Sequence, residues 1–436
     1  MSGFLDPYFD RMQKSQPWRW RGHVAEWVGN TIESVGPVAS VGECCEIETA
    51  SGATHLVEVV GFRGQHVLSM PFGTVTGVKF GDAVFALGMR PKVEIGRGAI
   101  GRILDGRGVP MEGEAIKGHT VRMSIEGTPR TPLDRIPIRT PLGTGVRALD
   151  ALLTIGRGQR VGIFGGSGVG KSTLIGIMTR GTDADVTVVG LVGERGREVQ
   201  EFVDALGEKG LARSILVVST SDQSPLLRMR AALSATTIAE YFAAQGKNVL
   251  LVLDSLTRFA MAAREIGLAA GEPPTAKGYT PSVFVHLAKL VERAGQFRTG
   301  SITAFYTVLM EGDDQQDPLV DAVRSLLDGH VVLSRKLAAE GWYPPIDVLD
   351  SISRLMPAVA EPKHLEHAAL LKRLMAAYAR SEDLVRIGAY KPGSDPDLDR
   401  AMAARPKIQN FVMQALNDYG SLEAAIRRLR DLAQEI

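Results

Sequence analysis

Thiols are almost absent from this chain. Cys44 and Cys45 are the only cysteines among 436 residues, and they are neighbours. Adjacent cysteines rarely meet disulfide geometry. No structural bridge is expected, and the chain reads as one kept in a reducing, cytosolic compartment. Long apolar runs are missing as well. No stretch approaches 18 consecutive apolar residues, which excludes a membrane-spanning helix and leaves peripheral membrane contact open. Residues 1–22 hold no apolar core of the 7–15 residues that mark a signal peptide. Net charge is nearly zero: 50 Lys and Arg against 49 Asp and Glu leave +1. That balance lends no support to an extended nucleic-acid-binding face. No period of 20–50 residues and no low-complexity tract is present.

What remains is an ordinary globular composition, with 44% hydrophobic and 23% charged residues. Such a chain is not disordered and has length for about three domains. Glycine is the one excess: 48 of 436 residues, about 11% against an average near 7%. Its placement separates the chain into regions.

Residues 1–22 carry an apolar stripe of Phe4, Leu5, Tyr8, Phe9 and Met12, followed by Trp18, Arg19, Trp20 and Arg21. The spacing predicts a short helix, with two readings open: a terminal helix packed on its own domain, or a docking helix for a partner groove. Residues 23–95 alternate short apolar runs with glycine turns and read as a small β-barrel. Residues 96–360 switch to alternating strands and helices. Buried strands are expected at 160–165, 186–192, 214–219, 248–254, 301–308 and 330–334, with helices such as 225–244 and 283–294. That pattern implies an α/β core with a mostly parallel sheet covered on both faces. Residues 361–436 are helical, at 363–380, 398–418 and 421–435, and form a third unit.

The segment Gly165, Gly166, Ser167, Gly168, Val169, Gly170, Lys171, Ser172 fits G-x-x-x-x-G-K-[ST]. It follows an apolar strand and precedes a helix start at Thr173, the context that confirms the motif. Glycines let backbone N–H groups surround phosphate oxygens, and the helix N-terminus adds partial positive charge. Lys171 then reaches the β- and γ-phosphates and Ser172 ligates Mg²⁺. The chemistry implied is binding of a nucleoside triphosphate with Mg²⁺. Asp254 ends the apolar run 248–254, placed to hold the Mg²⁺ shell through water. Glu194 follows another buried run, at the sheet edge where open α/β sheets bind ligands. Two readings of Glu194 are open: it polarises the attacking water, or it sits with Arg195, Arg197 and Glu198 in a solvated loop of surface ion pairs.

Residues 193–198 (Gly-Glu-Arg-Gly-Arg-Glu), 253–260 (Leu-Asp-Ser-Leu-Thr-Arg-Phe-Ala) and 342–354 (Trp-Tyr-Pro-Pro-Ile-Asp-Val-Leu-Asp-Ser-Ile-Ser-Arg) resemble catalytic subunits of rotary ATPases. Within that superfamily the phosphate loop and residues 220–228, 300–309, 311–318 and 328–336 resemble the type III secretion ATPases, the flagellar export ATPase among them. The resemblance runs from about residue 24 to 430. It implies a β-barrel, a RecA-like P-loop core and a C-terminal helical domain. It also implies roles. Glu194 matches the catalytic carboxylate and Asp254 the Mg²⁺-side aspartate. Arg195 and Arg258 match active-site arginines that organise the glutamate and the γ-phosphate. Arg354 matches an arginine finger supplied by the neighbouring subunit, whose charge stabilises the transition state. Tyr343 matches the aromatic that stacks on adenine and Phe411 a second one, while a later aromatic of the rotary enzymes corresponds to Asn417.

The same resemblance implies a homo-hexamer, a regulatory protein on the N-terminal segment and a central coiled-coil stalk gripped by loops at 269–278 and 311–318. From the residues alone these loops read equally as ordinary solvated turns. Export substrates, chaperones and an export gate are implied, with a cytoplasmic location at the inner membrane. Two other readings stand beside protein export: the catalytic subunit of an ion-translocating rotary ATPase, and an RNA-translocating helicase. The helicase needs a basic, aromatic surface, which the barrel stretch does not offer.

Overall fold

A computed structural model describes residues 19–127, 131–310, 317–415 and 418–436. Strands Arg21–Val28, Thr31–Val35, Cys44–Glu48, Thr54–Arg63, His66–Pro71 and Ala83–Ala86 close into an antiparallel barrel. Val24, Ile32, Cys45, Ile47, Val57, Val59 and Val84 fill it, the alternate residues that a two-residue period turns inward. The barrel therefore ends before the expected boundary at 95. Strand Lys92–Ile95 pairs instead with Val121–Ser124, and its Val93 and Ile95 join the core of the next unit. The alternation is identical in both places, so only the partner strand distinguishes them. The barrel also starts two residues early, at Arg21, inside the segment read as a docking arm. The apolar stripe of that arm lies outside the described residues.

The core unit is a largely parallel sheet. Its strands are β1 (Ile103–Asp105), β2 (Arg160–Gly165), β3 (Val186–Glu194), β4 (Ser214–Thr220), β5 (Asn248–Asp254), β6 (Ser301–Leu309), β7 (Gly329–Leu333) and β8 (Ile346–Ser353). Their order across the sheet is β8-β7-β2-β6-β5-β3-β4-β1. All neighbours in this order are parallel except β8, which runs antiparallel to β7; a ninth, two-residue strand, Gly295–Gln296, pairs antiparallel with the start of β6. The central strands are near-continuous runs of Val, Ile and Leu because both faces are covered. One face packs on α3 (Pro225–Ala244), α4 (Leu256–Ala269) and Pro281–Val291. The other packs on α1 (Lys171–Gly181) and α2 (Gly196–Leu211).

Helices α5 (Pro362–Arg386), α6 (Pro396–Val412) and α7 (Leu422–Glu435) follow. Leu371, Leu374, Ile408 and Leu429 share one hydrophobic cluster with Val161, Ile163 and Leu174 of the sheet and α1. The helical unit is thus continuous with one face of the core. The barrel has a narrower seam: Cys44, Met70 and Phe72 meet Leu226 and Leu227 at the start of α3. Beside them Glu58 and Arg230 form a buried ion pair. The loops at 269–278 and 311–318 are tied to one another by Lys277, whose ammonium donates to Asp317 at 2.9 Å; residues 311–316 lie outside the described residues.

Candidate active site

The phosphate loop leaves β2 at the carboxyl edge of the sheet. Gly168 and Gly170 have φ of +76° and +93°, which L side chains rarely adopt. Val169 is buried against Gly165 and anchors the loop from below. Helix α1 begins at Lys171 with no side-chain cap and no acidic residue in its first turn. Its first amides are therefore unspent and carry the positive end of the helix dipole. Lys171 Nζ donates to the carbonyls of Gly165 (3.2 Å) and Gly166 (3.0 Å). Burial pushes the Lys171 ammonium below its ordinary pKa, against the pull of Asp254 and Glu194. Ser172 and Ser167 are exposed on the open side, and Thr173 is half-buried behind them.

Asp254 ends β5 and Glu194 ends β3, so both stand at the same edge as the loop. At about 4.8 Å per strand, β5 is two strands from β2 and β3 is three. Asp254 is buried and its Oδ1 accepts from Thr307 Oγ1 at 2.6 Å. Burial raises its pKa; Thr307, Lys171 and Arg258 oppose that rise.

Glu194 is aimed by a β-bulge. Val192 pairs with Ser219 and Glu194 with Thr220, leaving Gly193 as an extra residue. Its φ is +70°, and a Cβ there would lie 3.1 Å from Cβ of Arg258. Glycine is needed on both counts, and the bulge turns the following side chain toward the site. Burial, the Asp254 charge and a hydrogen bond with Glu198 push Glu194 up to about 8. Arg258 opposes this rise, and its own Nε is buried with no hydrogen-bond partner.

The structure does not gather every expected residue here. Arg195 caps α2 with its side chain 72% exposed, 4.0 Å from Glu198 rather than against Glu194. Arg258 is the arginine whose charge bears on both carboxylates. Arg354 sits at the far edge of the sheet. Strand β8 is antiparallel to β7, with Gly329 opposite Ser353 and Leu333 opposite Ile346. Arg354 therefore follows the amino-terminal end of β7, a full strand length of about 16 Å from its own phosphate loop. Tyr343, at the other end of β8, lies over the loop: a Cβ on Gly170 would come 3.8 Å from its ring. Phe411 is buried in the helical-unit core and is not presented to the loop. It is linked to Tyr343 through hydrogen bonds: Arg147 donates to the Phe411 carbonyl (2.9 Å) and to Gln414 (2.8 Å), whose amide donates to the Tyr343 carbonyl (2.8 Å). Asn417 lies outside the described residues.

The site fits a polyphosphate. An uncapped helix N-terminus, a lysine bonded only to carbonyls and an orphaned arginine nitrogen are all donors awaiting an anion. Ser172 and Asp254 supply oxygen donors, the kind a hard divalent cation takes together with substrate phosphates.

Comparison with known proteins decides the family. Residues 145–353 match the nucleotide-binding domain of the ATP synthase alpha/beta family. Residues 360–431 match the T3SS EscN ATPase C-terminal domain. The flagellum-specific ATP synthase of Bacillus subtilis is 48% identical over 426 residues, 97% of each chain. That of Pseudomonas aeruginosa is 51% identical, covering 94% of this chain and 92% of its own. The solved structure of the assembled ATPase EscN from the enteropathogenic E. coli type III secretion system is 46% identical. It superposes with a TM-score of 0.89 over 94% of this chain and 100% of that one. The chain belongs to the flagellar and type III secretion ATPase family.

This family member hydrolyses ATP. Its C-terminal helical unit is of the secretion type, which separates it from the ion-translocating rotary subunits and from helicases. Three residues near the site lie inside the segments that carry the resemblance but receive no site role from the sequence. Thr307 lies in the middle of an apolar run, where a hydroxyl reads as β-propensity alone. Glu198 reads as a surface charge on α2. Arg335 follows β7 and abuts Gly166; the segment 328–336 carries the resemblance without giving this residue a role.

Proposed function

We propose that this ATPase hydrolyses Mg²⁺-ATP to drive unfolding and export of protein substrates through a flagellar or type III secretion apparatus. The observation that carries the reading is the meeting of the uncapped phosphate loop, the bulge-borne Glu194 and Asp254 at one sheet edge. The loop amides and Lys171 bind the β- and γ-phosphates, Lys171 exchanging its carbonyl partners for phosphate oxygens. Ser172 and, through water, Asp254 hold Mg²⁺, which neutralises phosphate charge. Glu194 takes a proton from the water that attacks in line. Arg258 balances the carboxylates and meets the γ-phosphate, with Arg195 reaching the same group from the exposed rim. Tyr343 stacks on adenine, and Phe411 supports that wall from behind.

Arg354 completes the site of a second copy, because it is a strand length from its own. Assembly then becomes a condition of hydrolysis, and a homo-hexamer satisfies it. The related EscN is known as an assembled ATPase and in complex with its central stalk EscO. By analogy the loops at 269–278 and 311–318 grip a coiled-coil stalk in a central pore. The N-terminal segment holds a regulatory protein. Substrates and chaperones are delivered to the export gate, and nucleic acid is not a partner. No helix among the described residues is long and apolar enough to cross a membrane. By analogy with the flagellar and type III secretion relatives, the assembly is cytoplasmic and reaches the inner membrane peripherally, at the apparatus.

Subunit mixing tests the site. Glu194→Gln and Arg354→Ala are each expected to hydrolyse ATP hardly at all. Mixed, they create interfaces in which an intact Glu194 faces an intact Arg354, and activity returns. A mixture as inactive as its parents refutes a site shared between copies.

A further inference from the structure

The connection from β7 to β8 passes over the phosphate loop, and both of its ends are fixed there. The Ser334 amide donates to the Pro345 carbonyl at 2.9 Å, and the Trp342 amide to the Leu337 carbonyl at 2.9 Å. Residues 334–345 are therefore a closed strap. A Cβ on Gly165 would stand 3.0 Å from Leu333 Cβ, so the root of the strap is packed directly on the loop.

The strap carries Tyr343 over Gly170 and Arg335 over Gly166. A Cβ on Gly166 would lie 2.4 Å from Arg335 Nη2, 2.8 Å from Nε and 3.0 Å from Cζ. The guanidinium thus rests against the backbone of the loop. Gly166 is also the residue whose carbonyl accepts from Lys171 Nζ at 3.0 Å. The two cations flank one peptide, and the charge of Arg335 disfavours the Lys171 ammonium. Arg335 has no hydrogen bond or ion pair among the described residues to offset this. Asp254 and Glu194 favour the Lys171 ammonium, but no carboxylate pairs with Arg335 among the described residues, and an anion placed between the two like charges favours both. A polyphosphate does so, and a guanidinium suits it because its planar donors bind phosphate oxygens in pairs.

We propose that Arg335 is a nucleotide-binding residue that donates to the terminal phosphates of ATP. The strap is then a clamp, with Arg335 on the phosphates and Tyr343 on the base. Arg335 acts within its own subunit, which distinguishes it from Arg354. This inference rests on the nucleotide reading of the phosphate loop.

Binding of Mg²⁺-AMP-PNP and Mg²⁺-ADP to the full chain tests it, read by calorimetry for wild type, Arg335→Ala, Arg335→Lys and Lys171→Ala. Arg335 is exposed, so the variants are expected to fold, checked by an unchanged melting temperature. Arg335→Ala is expected to weaken AMP-PNP by about tenfold or more, the loss of a charge-assisted hydrogen bond. ADP is expected to weaken less, and Arg335→Lys to recover part of the AMP-PNP affinity. In turnover the alanine variant raises KM for ATP more than it lowers kcat. Unchanged AMP-PNP affinity in Arg335→Ala overturns the inference if Lys171→Ala does weaken binding. If neither variant weakens it, the nucleotide reading of the loop falls as well. Equal losses for AMP-PNP and ADP overturn the assignment to the terminal phosphate.

Discussion

Asp254 shows how a buried carboxylate is kept usable. It has left water almost entirely, which favours its neutral form. Thr307 Oγ1 at 2.6 Å, Lys171 and Arg258 resist that. Thr307→Val keeps the side-chain shape and removes the donor. A buried acceptor to a charged group then goes short, at a cost of about 1–3 kcal/mol. The expected result is a several-fold to hundred-fold rise in KM for Mg²⁺-ATP with the fold retained; steady-state kinetics that match wild type would contradict it. Glu194 is pushed the same way, by burial and by the Asp254 charge, up to about 8. A general base must first lose its own proton. Below its pKa the free enzyme carries Glu194 protonated, so kcat/KM rises with pH and levels off above about 8. The limb for kcat lies at lower pH, because the bound cation favours the carboxylate. A kcat/KM profile flat between pH 6 and 9 would remove Glu194 from the base role.

The bulge in β3 is the element that converts a buried strand into a catalytic edge. An L residue at Gly193 would be strained by about 1–2 kcal/mol in the left-handed region and would press on the Arg258 side chain. Gly193→Ala is therefore expected to leave a folded, nucleotide-binding protein, slightly less stable, that loses most hydrolysis through displaced Glu194 and Arg258. Near-normal turnover would show that the bulge does not set the geometry. The central strands were legible in the sequence because burial on both faces leaves uninterrupted apolar runs, as in 160–165 and 248–254. Helix 225–244 was equally plain, and the structure gives it the same bounds, with Ser224 capping a proline start. The bulge was not legible, since a glycine before a glutamate reads as a turn, and the strand runs two residues past the expected end at 192. Strand β1 is three residues long, too short for any period. Arg195 and Arg258 look alike in sequence; only the cap position of Arg195 turns it outward. Phe411 has an aromatic's sequence signature, yet α6 buries it, because the helical period and not residue type decides which face meets the core.

At the scale of the whole molecule the three units are joined very differently. The barrel meets the core through a small apolar contact and the buried Glu58–Arg230 pair. Removing one member of such a pair strands the other, at about 3–5 kcal/mol. Arg230→Leu alone should lower thermal stability markedly, and adding Glu58→Leu should recover much of it; equal loss in both would locate the effect in packing instead. The C-terminal helices are bound far more tightly. Leu371, Leu374, Ile408 and Leu429 are buried against the same cluster that holds the sheet face behind the phosphate loop. At about 1.5–3 kcal/mol per buried side chain, those four alone are comparable with the whole stability of a domain, about 5–15 kcal/mol. Their loss also uncovers the apolar faces of α1 and of the sheet. A chain ending at residue 360, although it keeps every phosphate-loop residue, is expected to aggregate or to unfold without a cooperative transition. A chain beginning at residue 88 gives up only the small seam, and its core is expected to remain folded. Scanning calorimetry of the two truncations decides it: a sharp transition in the chain ending at 360 would mean that the helical unit is an accessory to the core rather than one wall of it.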